Sequence, residues 1–256
     1  MKVTQDTLTW VFKDPEWKNK FIIGSALFLA ASFFGIVGFI GLFPVYGYSL
    51  AVMRAAIRGE SRLLPKCDRL GELFVDGLKG TLAAILYFLP GILALVVAAI
   101  LLFGALFGGI FSAAATGSRA TPAQIGLYLI LGQVGFFVLL PLSLVLFLVG
   151  SIPATMAWPQ YARTGQIGAG YRVREMWRIF RANVAGFALA FIITAGLGVL
   201  VNYVISFMYL TIIFCFIAPL AIAPISFYLL LISTDVLGAA YREAAAKIPE
   251  LEMSAE

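Results

Sequence analysis

Histidine is absent from this chain of 256 residues. With it go the commonest general base and the commonest zinc ligand, so serine-hydrolase, rhomboid-like and zinc-peptidase chemistries lack their usual machinery. Cysteine is nearly absent: Cys67 and Cys215 are the only two. One lies in a hydrophilic stretch and the other in an apolar one, which argues against a disulfide or a thiolate cluster, and both read as structural. Charge is also scarce. Only 12% of the residues are Asp, Glu, Lys or Arg, while 62% are hydrophobic and the mean hydropathy is +0.99. A water-soluble domain could not cover that much apolar surface.

The few cations are arranged with order. All of the 18 lysines and arginines except Arg119 fall in four hydrophilic stretches: residues 1–20, 54–79, 163–181 and the tail after Tyr241. Between them lie apolar blocks over residues 21–57, 80–160 and 182–239, whose interiors carry only Arg119 and Asp235 as charged groups. A bilayer core about 30 Å thick needs roughly 20 apolar residues per helix, so each block must be divided into crossings. Basic residues flanking membrane helices stay on the cytoplasmic side. With all four basic stretches inside, every block goes out and returns. The expected architecture is all-α and polytopic: six transmembrane helices as three hairpins, both termini cytoplasmic, in a single membrane domain over residues 1–256. The second hairpin is expected to turn around residues 112–124 and the third around 202–211. The first, with Gly35, Gly38, Gly41 and Pro44, leaves open two short tilted helices or a re-entrant hairpin.

An amphipathic segment precedes each hairpin, at residues 5–13, 68–79 and 171–182. In the last, Val173, Met176, Trp177, Phe180 and Val184 recur at helical spacing. Arg172, Arg174, Glu175, Arg178 and Arg181 take the other side, the pattern of a helix lying in a membrane interface. In the middle segment Leu70, Leu73, Phe74 and Leu78 oppose Asp68, Glu72, Asp76 and Lys79; in the first, Leu8, Val11 and Phe12 make a weaker stripe. The run Asp14-Pro15-Glu16-Trp17 supplies an N-cap, a proline for the first helical position and an acid that complements the helix dipole. The first membrane helix should start there, with Trp17, Lys18 and Lys20 at the interface. Asp6, Asp14 and Glu16 also break any secretory-signal pattern. The recurrence of surface segment plus hairpin reads either as threefold duplication or as shared interface chemistry.

The stretches LPKCDRLGELFVDGLKG (64–80), DPEWKNK (14–20), GYSLAVMRAAIRGE (47–60) and APISFYLLLISTDVLGAAYREA (223–244) resemble the DUF4013 family, prokaryotic multi-pass membrane proteins without an established activity. Cys67 stands where that resemblance leads one to expect tryptophan. The resemblance implies a helical membrane domain in bacteria or archaea and brings no catalytic residue or cofactor with it.

Four groups of residues are candidates for chemistry. Asp68, Glu72 and Asp76 stand at i, i+4 and i+8 on one helix face, either as Mg²⁺ ligands for phosphoryl or phosphatidyl transfer or as a solvated face balanced by Arg69 and Lys79. The second reading is preferred, because metal sites draw ligands from more than one element. Asp235 is the only acid inside an apolar block, by default a functional position; it could pair with Arg54 or couple an ion or proton. Pro219 and Pro224 are expected to interrupt the last helix, and Pro90, Pro141 and Pro153 others, as in transporters with midplane sites. Gln133, Asn202, Ser206 and Thr211 are the few polar groups available to line a cavity. Gly104 with Gly108, and the Gly35, Gly38, Gly41 series, are small-residue seams for close helix packing, within the chain or between copies.

Cations near a membrane surface each contribute about 1 kcal/mol toward anionic headgroups. Lys18, Lys20, Arg172, Arg174, Arg178 and Arg181 are therefore the expected anionic-lipid contacts. The sequence pI of about 9.3 points to the membrane surface rather than to nucleic acid, for which there is no soluble domain. The expected function is a non-enzymatic scaffold or accessory subunit in a prokaryotic cytoplasmic membrane, without cofactor, that binds lipid, another membrane protein or its own copies. The alternative is a small-solute or ion transporter or channel built on the last helix and Asp235, and a lipid-modifying enzyme on the three acids is a third class.

Overall fold

The computed structural model describes residues 5–33, 35–60, 63–65, 69–115, 122–209 and 212–248, and every regular element among them is helical. In chain order these are α1 (Gln5–Thr9), a 3-10 turn (Trp10–Lys13), α2 (Trp17–Phe33), α3 (Gly35–Arg58), α4 (Leu70–Ala115), α5 (Pro122–Thr164), a second 3-10 turn (Ile167–Tyr171), α6 (Val173–Ala182), α7 (Val184–Tyr209) and α8 (Ile212–Ala245). Where no water reaches the backbone, a helix is the one open-ended element that pairs every N–H and C=O internally. Five of these helices are long and apolar enough to cross a membrane: α3, α4, α5, α7 and α8. The sixth expected crossing, α2, has only 17 residues.

Several expected breaks are absent. α8 runs without interruption through Pro219 and Pro224, α4 through Pro90, and α5 through Pro141 and Pro153. Proline removes one N–H and displaces one carbonyl, which bends a helix more readily than it ends one when leaving the helix would expose many more backbone groups to hydrocarbon. For the same reason the amphipathic segment at 68–79 is not a separate surface helix. From Leu70 it forms the first turns of the 46-residue α4. In the first hairpin α2 is described to Phe33 and α3 from Gly35, with Gly38, Gly41 and Pro44 inside α3. The third runs helical through Asn202 and Ser206 to Tyr209. The second turn (116–121) and Arg119, Cys67, Asp68 and Thr211 lie outside the described residues, and the side chain of Cys215 is likewise not described.

Two compact units divide the chain: residues 1–83 with 156–256, and residues 84–155. In the first, α8 packs against α2, α3 and α7, and Leu50, Met53, Ala83, Tyr161 and Ala162 form a buried cluster. Glycines set the closest helix crossings. A methyl at Gly47 would collide with the Leu73 carbonyl, and one at Gly77 with the Phe43 carbonyl, so α3 and α4 meet backbone to backbone. Gly38 meets the Ala31 carbonyl and Gly238 lies over that of Met53 in the same manner. α3 and α5 each stop at a glycine with positive φ, Gly59 (71°) and Gly165 (68°), and the Gly165 N–H donates to the Tyr161 carbonyl at 2.8 Å, a left-handed helix cap. The second unit pairs parts of α4 and α5. Gly91 lies against Phe147, Gly132 against Ala105, Gly135 against Leu101 and Gly150 against the Tyr87 carbonyl.

Candidate functional site

Polar side chains gather where α3, α5 and α8 end and α4 begins. Arg54 Nη1 meets Asp76 Oδ2 at 2.6 Å, and Arg54 Nε donates to the Ala162 carbonyl at 3.3 Å. The Tyr161 hydroxyl donates to the other Asp76 oxygen at 3.3 Å, while the Arg54 guanidinium lies 5.9 Å from the Tyr161 ring centroid. One residue along α5, the buried Gln160 accepts a 2.7 Å hydrogen bond from Tyr241 of α8. Arg163 and Arg172 stand 3.9 and 3.7 Å from Glu175 of α6. The carboxylate shown against Arg54 is thus Asp76, which the sequence reading had assigned to a solvated stripe. Glu72 does remain on the surface, 3.4 Å from Arg69. Asp235 is 2% exposed on α8, in the core that contains Leu231, Ile232 and Val236.

α6 falls within the segment read as amphipathic, and its faces divide differently from that reading. Met176 and Ile179 are buried, whereas Val173 and Trp177 are exposed. Ile179, which the sequence reading passed over, is fully buried, so the inward face is centred on it. Arg172, Arg174, Arg178 and Arg181 are all exposed, and the Arg181 guanidinium stacks 5.0 Å from the Trp177 ring. The helix is pinned at both ends. Before it, the Tyr171 hydroxyl donates to the Leu82 carbonyl. After it, Lys247 reaches the Ala182 carbonyl at 3.2 Å, and Asn183 donates to the Ala240 carbonyl at 3.1 Å and to Glu243 at 3.3 Å. The Asn183 side-chain oxygen also accepts from the Gly186 N–H at 3.3 Å, which caps the start of α7.

The other two predicted lipid contacts part company. Lys18 is exposed. Lys20 is folded inward, 12% exposed, donating to Asp14 Oδ2 and to the Leu64 carbonyl, each at 2.9 Å. Asp14 caps α2 as its sequence context predicts, accepting from the Glu16 N–H at 2.8 Å, and also takes the Leu64 N–H at 3.0 Å. Burial alone would raise the Asp14 carboxyl, but Lys20 and the Glu16 and Leu64 N–H groups together bring it below its ordinary value of 3.8. A depressed carboxyl stabilises the fold fully above its ordinary pKa and loses that contribution as pH falls through the depressed value. Protection of the segment around residues 5–20, read by hydrogen exchange, should therefore hold to about pH 4 and fall below it. In Asp14→Asn the step should vanish, with protection above about pH 4 already reduced to the level wild type reaches in acid.

Residues 30–210 match the model of a family described as a protein of unknown function (DUF4013). The chain belongs to the DUF4013 family. No curated protein and no solved structure matches it. The DUF4013 match takes in Arg54, Asp76, Gln160, Tyr161 and all of α6, and it ends before α8. Asp235, Tyr241 and the α8 partners of Asn183 are thus outside the matched segment of this DUF4013 chain. Its five helices long and apolar enough to cross a bilayer make the chain a membrane protein.

Proposed function

We propose that this chain is a non-enzymatic scaffold or accessory subunit of a prokaryotic cytoplasmic membrane, which holds anionic lipid headgroups on the outer face of α6. In this reading both termini and α6 are cytoplasmic, and the short α2 returns with α3 as a re-entrant hairpin. The observation that carries it is the four exposed arginines bordering the exposed Val173 and Trp177 on a helix tied down at each end. Tryptophan favours the headgroup level, and arginine suits bidentate contact with phosphate. At about 1 kcal/mol per cation, four arginines amount to a preference of a few kcal/mol for an anionic over a neutral surface.

The test is native mass spectrometry of the protein released from nanodiscs of mixed phosphatidylglycerol and phosphatidylcholine. Wild type should retain the anionic lipid preferentially, and exchange of Arg172, Arg174, Arg178 and Arg181 for glutamine should lower that preference at least tenfold. Equal retention by both proteins would sink the reading. The same spectra report a second copy or a protein partner.

Burial of Asp235 inside an apolar helix favours a second reading, coupling of an ion or proton across the membrane. It predicts that Asp235→Asn abolishes proton or cation flux into vesicles while the protein stays folded and keeps its lipid preference. The scaffold reading predicts no flux from either protein.

A further inference from the structure

The second compact unit, residues 84–155, is a pair of helices whose outer surface is apolar for an unusual length. Among the described side chains of this unit, exposed large hydrophobics run along α4 at least from Ile85 to Phe111 and along α5 at least from Leu127 to Ile152, bands of at least about 39 and 38 Å at the helical rise. Sequence polarity brackets them, with Lys79 before the first and Arg119 between the two in the sequence. In the other unit, α7 is apolar over its 26 residues, Val184–Tyr209, about 38 Å. Each of these lengths exceeds the roughly 30 Å of an ordinary hydrocarbon core. A 38 Å rod fits 30 Å only at a tilt of about 38°, near the upper limit of about 40° seen for membrane helices. Leaving the ends in water would expose residues such as Phe111 and Leu127, at roughly 25 cal/mol per Å².

We infer that the acyl partner of this protein is a long-chain lipid, forming a hydrocarbon core of about 35–38 Å, and that the hairpin of residues 84–155 sets this requirement. In such a bilayer the two helices of the hairpin stand close to upright with their exposed apolar side chains in hydrocarbon. In a thinner one they tilt and strain the surrounding lipid, at a cost that rises with each ångström of mismatch.

The measurement is the thermal unfolding midpoint of the intact protein in vesicles of monounsaturated phosphatidylcholines with cores from about 25 to about 40 Å. Neutral headgroups keep the result separate from the anionic-lipid reading of α6. The midpoint should climb to a maximum above about 35 Å, several degrees higher than at about 30 Å. A maximum at 30 Å or below, or no dependence on thickness, overturns the inference. Removing one facing heptad from each helix, residues 93–99 and 139–145, shortens the hairpin by about 10 Å and should move the maximum to thinner membranes. An unmoved maximum in a folded variant would show that the hairpin is not the determinant. Should the variant fail to fold, the wild-type series still decides whether long-chain lipid is the partner.

Discussion

Gly77→Ala should destabilise the protein by about 2–4 kcal/mol, and Gly47→Ala by a similar amount. The added methyl at either position meets a carbonyl oxygen of the opposite helix, Phe43 or Leu73, not the flexible end of a side chain. Main chain cannot step aside without moving α3 relative to α4, and that would pull Arg54 from Asp76 and disturb the packing of Leu50 against Gly80. Two glycines of the same helix make the controls. Gly71 and Gly104 have no atom within 4 Å of an added methyl, so alanine there should be neutral or add up to about 1 kcal/mol by restricting the unfolded chain. Unfolding in a fixed lipid–detergent mixture gives all four values on one scale. Equal effects at all four positions would mean that the α3–α4 crossing does not govern stability.

Helices and their polar ends were legible because they rest on composition. Long apolar blocks can only be helical in a bilayer, and the lysines and arginines mark where the blocks stop. The Asp14 cap was legible for a local reason, since the aspartate accepts from the Glu16 N–H two residues on and Pro15 brings no N–H that needs a partner. Positions decided by tertiary packing were not. Glu72 and Asp76 share a sequence face but not an environment, because the Gly47–Gly77 crossing brings α3 close to one and leaves the other in solvent. Lys20 looked like an interface lysine, but its ammonium is held by Asp14 and the Leu64 carbonyl, a partner 44 residues away. Around α6 the four exposed arginines were found from periodicity, yet periodicity put the apolar stripe through Val173 and Trp177, which are exposed, and passed over the buried Ile179. The Gly104–Gly108 seam was read as packing within the chain or between copies, and both positions are open in the structure. The prolines misled because their effect on a helix depends on the solvent around it.

Asp76→Leu should destabilise the fold by about 2–3 kcal/mol, whereas Arg54→Met/Asp76→Leu together should recover most of that loss. The single change leaves a guanidinium, 24% exposed, facing apolar groups and the Tyr161 ring, with the Ala162 carbonyl still accepting from Nε. Stranding one charge of a fully buried pair costs about 3–5 kcal/mol, and partial exposure of both partners lowers that figure by solvent screening. The double change removes both desolvation penalties and returns apolar packing, so the coupling between the two positions should be about 1–3 kcal/mol. Tyr161→Phe should cost less than about 1 kcal/mol, because its 3.3 Å hydrogen bond is the longer of the two shown to the carboxylate. This pattern separates a structural pin from a catalytic acid. A pin joining α3, α4 and α5 tolerates replacement by well-packed apolar side chains, and the double variant would keep its preference for anionic lipid. If Asp76 instead served a metal-dependent reaction, no stabilising partner change could restore function, and Asp76→Asn would abolish divalent-ion binding while leaving the fold largely intact. Recovery in the double variant together with unchanged lipid retention would place Arg54 and Asp76 in the frame that holds α5 and, through Arg163 and Glu175, the inner side of α6.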